Sequence, residues 1–260
     1  MIVIPARLAS TRLPEKLLRV AGEKTILQHT FDSARQSAIA DGVVIAVDNQ
    51  RMADEVDSFG GKWVMTDPAC NSGTDRIAEV AAAMPDVDVF VNVQGDEPEI
   101  DANVIDRVAS ALIEAGDADI STAGTPIRQR SILEDPACVK IVMAQTSSQG
   151  SAANRAGQGR AVYFSRSPVP HCRDGINEAS LTTEPPLFWL HIGLYAYRRE
   201  FLNWFSARPP SLLEETERLE QLRAIEAGKR IVVARVEAAA PGIDTEADLA
   251  AFIKRLESEM

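Results

Sequence analysis

Cysteine is scarce in this sequence, and no pair of cysteines forms a recognisable motif. The 260 residues contain three cysteines, Cys70, Cys138 and Cys172, which lie far apart with no Cys-x-x-Cys pair. No histidine stands at zinc-finger spacing from them. We therefore expect free thiols, and a cytoplasmic protein is the simplest interpretation.

Long apolar runs and a surplus of positive charge are also absent. No run reaches the roughly 18 apolar residues that a membrane span needs. Met1 leads directly into the apolar run 2–4, which leaves no room for the basic and apolar regions of a signal peptide. The formal net charge is -11, so the average surface repels nucleic acid and anionic membranes. We expect neither as a partner, and no export signal.

Two common nucleotide-binding motifs are missing. Residues 22–25 (Gly-Glu-Lys-Thr) lack the glycine that precedes lysine in a Walker A loop. Residues 157–159 (Gly-Gln-Gly) do not follow a predicted strand and lack the third glycine of the dinucleotide fingerprint. The missing fingerprint argues against an NAD-dependent oxidoreductase.

The order of apolar patterns in the first half predicts an α/β fold. Short β-branched runs, each followed by helical periodicity, occupy 2–4, 43–47, 63–65 and 87–93. Helices predicted at 25–37 and 74–84 each carry an apolar stripe. This pattern predicts a Rossmann-like, mostly parallel open sheet flanked by helices.

The second half has a different rhythm. A helix is predicted to about residue 115, followed by strands, a helical run and a closing helix at 120–127, 139–144, 191–197, 213–228, 231–236 and 246–259. Residues 145–159 are rich in Ser, Gln, Gly and Ala and predict a mobile surface loop. No internal repeat is visible, so we expect one domain with a small secondary lobe.

Basic residues are concentrated in the loop after the first strand. The first 19 residues contain one acid, Glu15, and four basic residues, Arg7, Arg12, Lys16 and Arg19. A loop at the carboxyl end of the first strand of an open parallel sheet lies where such folds bind ligands. For any single arginine a solvated surface position is the usual alternative. Together, these cations suit a polyphosphate.

The segment 5–16 (Pro-Ala-Arg-Leu-Ala-Ser-Thr-Arg-Leu-Pro-Glu-Lys) resembles the signature loop of sugar nucleotidyltransferases of the cytidylyltransferase branch. Six further segments resemble the 3-deoxy-manno-octulosonate (Kdo) cytidylyltransferases: 71–76, 92–98, 163–166, 191–195, 219–223 and 242–245. They occur in the family's order, between residue 3 and about residue 250. The resemblance implies the nucleotide-diphospho-sugar transferase type of fold, with 1–115 mainly nucleotide-binding and 116–260 mainly sugar-binding and forming a dimer lobe.

The resemblance also implies an activity and its surroundings. A Mg²⁺-dependent enzyme of this kind transfers CMP from CTP to the anomeric hydroxyl of Kdo, releasing pyrophosphate, in the supply of activated sugar for lipopolysaccharide. It also implies a homodimer located in the cytoplasm of a Gram-negative type of cell. Two alternatives stay open: an enzyme for 8-amino-Kdo and an enzyme for another sugar acid such as sialic acid. A catalytically silent nucleotide-binding regulator is disfavoured, because Arg7, Arg12, Lys16, Asp96 and Asp244 are all present. Cys70, His171 and the length of 145–159 depart from the usual pattern, which leaves the acceptor's distal substituent open.

Site residues follow from the same resemblance. Those implied for catalysis are Lys16, Arg12 and Asp96. Those implied for nucleotide binding are Ala6, Arg7, Ser10, Arg12, Lys16, Ser72, Gly73 and Arg76. Those implied for sugar binding are Gln94, Arg166, His191, Tyr195, Glu220 and Gln221, and those for Mg²⁺ are Asp96 and Asp244.

Several of these residues also have ordinary structural interpretations. Asp96 follows an apolar strand, which independently favours a ligand position, whereas Asp244 could simply cap a turn. Ser72 could begin a helix, and His191 could be a core histidine. Glu220 would by default lie on a solvated helix face.

Overall fold

The computed structural model describes residues 1–10, 12–70, 72–145, 157–237 and 241–259. The chain forms two compact units, each assembled from separate stretches. The first unit comprises Met1–Asp106, Tyr197–Ser206 and Ala240–Met260. The second comprises Arg107–Ala196 and Ala207–Ala239. Within the described ranges, no helix is both long enough and apolar enough to span a membrane.

The first unit alternates strands and helices. Its elements are β1 (Ile2–Ala6), a 3-10 helix (Lys16–Leu18), β2 (Val20–Ala21), β3 (Lys24–Thr25), α1 (Ile26–Ala34), β4 (Val43–Val47), α2 (Gln50–Ser58), β5 (Trp63–Met65), α3 (Gly73–Ala83), β6 (Val89–Asn92), the start of α4 (Ala102–Glu114), α7 (Arg199–Ser206) and α10 (Glu246–Glu259). Four of its strands run in the order β5-β4-β1-β6 with neighbouring strands parallel, and β2 and β3 form a separate antiparallel pair. The βαβα prediction for this half is confirmed.

β1 is buried because its side chains are apolar on both faces. Ile2, Val3 and Ile4 are all inaccessible to solvent, as expected for a central parallel strand with neighbours on both sides. Beyond β6, a Cβ at Gly95 would lie 3.1 Å from the carbonyl oxygen of Pro5. Glycine therefore lets the ends of β1 and β6 approach closely, which brings the residues that follow these strands together.

The second unit contains a mixed set of strands. Its elements are the remainder of α4, β7 (Ile120–Pro126), α5 (Arg130–Glu134), β8 (Lys140–Gln145), β9 (Gln158–Ser165), α6 (Glu178–Thr182), β10 (Trp189–Arg198, whose last two residues fall in the first unit), α8 (Leu212–Glu217), α9 (Gln221–Glu226) and β11 (Ile231–Arg235). The strand order is β10-β7-β11-β9-β8. β7 and β11 are parallel, whereas β9 pairs antiparallel with both β8 and β11. The α/β class is confirmed, with a mixed rather than a mostly parallel arrangement here.

Two predicted segments need correction, and one helix was missed. The helical run predicted at 213–228 is two helices, because Arg218 adopts a left-handed conformation with φ 53° and ends α8. The surface loop predicted at 145–159 begins and ends within β8 and β9, and residues 146–156 lie outside the described residues. The helix α7 was not predicted; its first residue, Arg199, donates a 2.5 Å hydrogen bond to the carbonyl of Ala81 and further bonds to the carbonyls of Met84 and Val87.

Candidate active site

Lys16 is the centre of a charged cluster in the first unit. Its Nζ donates to a carboxylate oxygen of Asp96 and, at 2.9 Å, to Oδ1 of Asp244. Arg12 Nη2 lies 3.0 Å from the same Oδ1. The structure thus brings together four residues from distant parts of the sequence, with Lys16 and Asp244 alone 228 positions apart.

The charge on Lys16 is secured by this arrangement. Burial alone would lower its pKa, but hydrogen bonds and charges from Asp96 and Asp244 outweigh that effect, so the pKa is raised. Burial and the charge of Asp96 raise the pKa of the adjacent Glu97 to about 7. One cation therefore shares the two carboxylates, while a third carboxyl beside them titrates near neutrality.

A backbone hydrogen bond aligns the two aspartates. The amide of Ile243 donates to the carbonyl oxygen of Asp96 at 2.9 Å. Oδ2 of Asp248, in the first turn of α10, accepts bonds from the amides of Asp244 and Thr245 at 3.1 and 2.8 Å. The hydroxyl of Thr245, which donates to the same oxygen at 2.8 Å, and then these amide bonds lower the pKa of Asp248, and together they fix the turn that presents Asp244.

The basic loop is organised by its own side chains. Ser10 Oγ donates to the carbonyl of Leu13 and accepts a 3.3 Å bond from the amide of Lys16. Leu13 is fully buried and anchors the loop. Glu15 adopts a left-handed conformation and forms a two-point ion pair with Arg51, one bond of which measures 2.9 Å. The loop is thus shaped before any ligand binds.

The remaining loop residues lie around this frame. Ala6 is buried at the end of β1, and Arg7 is exposed. The amide of Leu8 donates to Asp48 Oδ1 at 3.2 Å, which ties the loop to the end of β4. Thr11 lies outside the described residues.

The predicted base-binding segment begins α3. Ser72 Oγ accepts from the amide of Asp75 at 3.1 Å, so it is the N-cap of the helix, as its structural interpretation predicted. Gly73 follows in the first turn, and Asn71 lies outside the described residues. Arg76 is fully buried and donates from Nη1 to the hydroxyl of Thr66. Its Nε and Nη2 have no hydrogen-bond partner in the described part of the chain, so a buried guanidinium is left incompletely satisfied.

The first unit also holds one predicted sugar-binding residue, Gln94, which donates to Asn92 Oδ1 at 3.3 Å. No group of three or more His, Cys, Asp or Glu side chains converges as a metal site within the described residues. A cation at Asp96 and Asp244 would therefore take its other ligands from elsewhere.

The other predicted sugar-binding residues lie in the second unit. Arg166 uses its guanidinium to bind backbone carbonyls: Glu217 at 2.8 Å, Pro136 at 3.0 Å and Arg218 at 3.5 Å. These contacts fix the end of α8. Glu220 occupies the position before α9 and Gln221 begins it.

Gln221 is buried, yet its Nε2 has no partner within the described ranges. This corrects the default expectation of a solvated helix face for 220–221. An unsatisfied buried amide is uncommon in folded proteins and costs free energy. It therefore favours a ligand at the start of α9.

His191 is a neutral histidine held among aromatic rings. Its Nε2 lies 3.1 Å from Thr122 Oγ1, and its ring centroid is 5.2 Å from that of Phe164 and 5.3 Å from that of Tyr195. Burial lowers its pKa to about 3.

Comparisons with known proteins identify the family of this chain. The family model described as "Cytidylyltransferase" matches residues 1–231. The chain is 56% identical over 259 residues to the 3-deoxy-manno-octulosonate cytidylyltransferase of Rhodopirellula baltica, covering 100% of this chain and 99% of the relative. The corresponding relative from Chloroherpeton thalassium is 43% identical over 252 residues, covering 96% and 94%. The chain belongs to the cytidylyltransferase family.

A solved structure supports the same relationship. It is described as CMP:2-keto-3-deoxy-manno-octonic acid synthetase complexed with CTP, and it is similar to this cytidylyltransferase with a TM-score of 0.85 and 35% identity, covering 100% of this chain and 98% of that one. The α/β fold and the family identified from the sequence are both confirmed.

Sequence reasoning missed several residues that organise this site. Asp48, Arg51 and Asp248 shape the loop and the turn around the charged cluster. Each is an ordinary polar residue in sequence, and only its position after a strand or at the start of a helix gives a local signal. Thr122 was missed for a different reason: it lies within a buried strand, where a hydroxyl carries no distinguishing pattern.

Acidification should destabilise the protein through His191. The ordinary histidine pKa is 6.5, and the pKa of His191 in the folded protein is about 3. Below pH 6.5 the His191 ring therefore binds a proton in the unfolded state but not in the folded state. Stability is therefore lost as pH falls. Between pH 7.5 and 5.0, we expect the free energy of unfolding of the wild type to drop roughly 1–2 kcal/mol more than that of His191→Gln.

The comparison with His191→Gln is needed because Glu97 acts in the opposite direction. Its raised pKa makes folding more favourable as pH falls from about 7 to 4.5, and this contribution cancels between the two proteins. Urea denaturation at both pH values gives the measurement, with the exposed His171→Gln as control. Identical pH dependence in wild type and His191→Gln would contradict the assignment.

Proposed function

We propose that this protein transfers CMP from CTP to the anomeric hydroxyl of 3-deoxy-manno-octulosonate (Kdo), giving CMP-Kdo and pyrophosphate. The observation that carries the proposal is the convergence of Asp96 and Asp244 on one cation, Lys16 Nζ, in a chain that is similar along its whole length to Kdo cytidylyltransferases. An enzyme for 8-amino-Kdo, or for another sugar acid such as sialic acid, is the alternative.

The carboxylates of Asp96 and Asp244 fit a magnesium ion. Both already accept bonds from one ammonium group, so they can face a common cation. Mg²⁺ prefers oxygen ligands and usually takes one or two carboxylates, with water and substrate phosphates completing its shell. When bound, it would lower the pKa of the attacking hydroxyl and offset phosphate charge.

The basic loop is proposed to bind the triphosphate. Arg7, Arg12 and Lys16 supply charged donors, while Ala6 and Ser10 let the backbone approach the phosphates. The fixed positions of Ser10, Leu13 and Glu15 support this role, because a site that is organised in advance loses less entropy on binding. Lys16 is proposed to leave the carboxylates for the phosphates when nucleotide binds.

The segment 72–76 is proposed to bind the cytosine base. Arg76 is fully buried, so a carbonyl or ring-nitrogen acceptor of the base would reach its two guanidinium nitrogens that lack partners only after the residues covering them move. Ser72 and Gly73 lie at the start of the same helix. A base hydrogen-bonded to Arg76 would remove the cost of leaving it unsatisfied.

Residues of the second unit are proposed to select the sugar. Gln221 offers an unsatisfied amide, and His191, Tyr195, Glu220 and Arg166 complete the set in this unit. Gln94, which the resemblance to the family also implies for sugar binding, lies in the first unit. Arg166 would bind a carboxylate only through N–H groups not occupied by the carbonyls of 136, 217 and 218.

Catalysis is proposed to rest on positioning and on charge. The sugar hydroxyl attacks the α-phosphate in line: its new P–O bond forms as the bond to the β-phosphate oxygen breaks, pyrophosphate leaves without a covalent enzyme intermediate, and the hydroxyl proton passes to solvent. Lys16 and Arg12 offset charge on the α-phosphate and the leaving group. Asp96 would hold a bound Mg²⁺ ion.

The wider setting is part of the same proposal. We place the enzyme in the cytoplasm, supplying activated sugar for lipopolysaccharide, with a Rossmann-like sheet in residues 1–115 and a dimer lobe in residues 116–260. Val162 and Leu187, large apolar side chains of the second unit, are 43% and 38% exposed, which suits a homodimer contact there. Analytical ultracentrifugation of wild type and Val162→Asp tests the dimer.

One panel of assays tests the reaction. Pyrophosphate release is measured with CTP or UTP, crossed with Kdo, 8-amino-Kdo and sialic acid, with and without Mg²⁺. We expect release with CTP and Kdo only when Mg²⁺ is present, and little with UTP. Turnover with sialic acid but not with Kdo would overturn the assignment of the acceptor.

A further inference from the structure

We propose that Thr122 is a positioning residue that holds His191 as the Nε2–H tautomer, leaving Nδ1 as a hydrogen-bond acceptor for a hydroxyl of the sugar. The proposal rests on the proposed function for its ligand. Its structural basis lies entirely in the second unit, where β7 carries Thr122 and β10 carries His191.

The hydroxyl of Thr122 has three close oxygen or nitrogen neighbours. Oγ1 lies 2.9 Å from the carbonyl oxygen of Leu194, 3.1 Å from that of Ile192 and 3.1 Å from His191 Nε2. Thr122 is inaccessible to solvent, so water does not compete for these bonds. The hydroxyl therefore forms its hydrogen bonds with these three groups.

Counting protons settles the direction of each bond. A hydroxyl has one hydrogen to donate and two lone pairs, and a carbonyl oxygen only accepts. Donation to His191 would leave the lone pairs of Oγ1 facing two carbonyl oxygens at 2.9 and 3.1 Å, which is repulsive. Donation to one carbonyl leaves only one such contact and is the better arrangement, so the hydrogen goes to a carbonyl and His191 Nε2 is the donor to Oγ1.

The protonation state of the ring then follows. His191 is neutral because burial opposes its charged form, so a proton on Nε2 leaves Nδ1 without one. Nδ1 has no hydrogen-bond partner among the described residues, and the residue as a whole is half-buried. An unprotonated ring nitrogen accepts from a hydroxyl or an amine and repels a carboxylate.

The first measurement is spectroscopic and needs no substrate. Two-dimensional ¹⁵N–¹H correlation spectra of protein labelled at histidine nitrogen identify the tautomer of each ring, and His191→Gln assigns the signal among the three histidines. We expect His191 as the neutral Nε2–H form in the wild type. In Thr122→Val, which lacks the acceptor, we expect a mixture of tautomers, and Thr122→Ser should restore the wild-type signal. A wild-type ring protonated on Nδ1, or charged at neutral pH, would overturn the proposal.

The second measurement separates positioning from general damage. With CTP saturating, Thr122→Val should raise KM for Kdo roughly tenfold, the loss of about one hydrogen bond, with kcat and the KM for CTP little changed. Ser121→Ala is the matched control, because Ser121 is a buried hydroxyl on the same strand whose Oγ bonds the carbonyl of Val108 at 2.6 Å. A changed tautomer with unchanged KM for Kdo in Thr122→Val, or an equal rise in Ser121→Ala, would refute the positioning role. If the wild type does not use Kdo, the proposed function is wrong. The spectra test the tautomer of His191 independently of that result.

Discussion

Lys16→Ala should lower kcat by roughly 10²- to 10³-fold while changing the KM for CTP much less. The ammonium group lies between Asp96 and Asp244 in the unliganded protein, and it is proposed to move to the phosphates with the nucleotide. Negative charge builds on the leaving pyrophosphate in the transition state. A cation at that place stabilises the transition state more than the bound substrate, and such an interaction appears in kcat.

The same substitution should change how the protein binds metal. In the wild type the ammonium is already bound to both carboxylates, so a divalent cation must displace it when no nucleotide is present. Removing it leaves Asp244 paired with Arg12 and takes away the ammonium partner of Asp96. Titration calorimetry with Mn²⁺ alone should therefore show tighter binding to Lys16→Ala than to wild type.

Lys24→Ala is the matched control for both measurements. Lys24 also pairs with a carboxylate, Asp32, at 2.7 Å, but it is exposed and belongs to a different part of the unit. Neither kcat nor Mn²⁺ affinity should change. Unchanged turnover of Lys16→Ala at saturating CTP and Kdo would rule out its catalytic role, and weaker Mn²⁺ binding would rule out competition with the metal.

The predictable parts of the site are those with a local signal. Asp96 follows an apolar strand, and the basic loop follows another. The sequence therefore predicts that both lie at the same edge of the sheet. Only the resemblance to the family predicted Asp244 as a site residue, because its position depends on the hydrogen bond from the Ile243 amide to the Asp96 carbonyl. Such a contact joins residues 147 positions apart, and no local pattern encodes it.

The unpredictable parts of the fold have a similar cause. The helical periodicity of 213–228 is continuous, yet Arg218 breaks it by adopting a left-handed conformation. Arg166 binds the carbonyls of Glu217 and Arg218 and so satisfies the end of α8 from a distant strand. Tertiary hydrogen bonds of this kind override local propensity, and the unsatisfied groups of Arg76 and Gln221 are likewise visible only in three dimensions.

Arg223→Met should reduce the free energy of unfolding by about 3–5 kcal/mol. Arg223 and Glu214 are both buried and form a two-point ion pair, with Nε to Oε2 at 2.6 Å and Nη2 to Oε1 at 2.5 Å. The Glu214 carboxylate also accepts a 3.1 Å bond from the Ser211 amide in the capping box of α8. The substitution leaves a buried carboxylate with that single neutral donor.

A second substitution distinguishes lost charge pairing from lost packing. Adding Glu214→Gln to Arg223→Met removes the stranded charge, and glutamine at this position still completes a capping box. The double variant should therefore be more stable than Arg223→Met alone in urea denaturation. Arg19→Met is the control: Arg19 makes the same two-point contact with Glu246, at 2.8 and 3.0 Å, but on the surface, where solvent screens the pair.

The position of this ion pair gives the prediction a functional consequence. Arg223 and Glu214 join α9 to α8; the turn between these helices carries Glu220, and Gln221 begins α9. If the turn holds the sugar, Arg223→Met should raise the KM for Kdo at temperatures where the protein remains folded, with the KM for CTP unaffected. The double variant should recover both stability and the KM for Kdo. Lower stability with an unchanged KM for Kdo would show that the Arg223–Glu214 ion pair does not contribute to sugar binding.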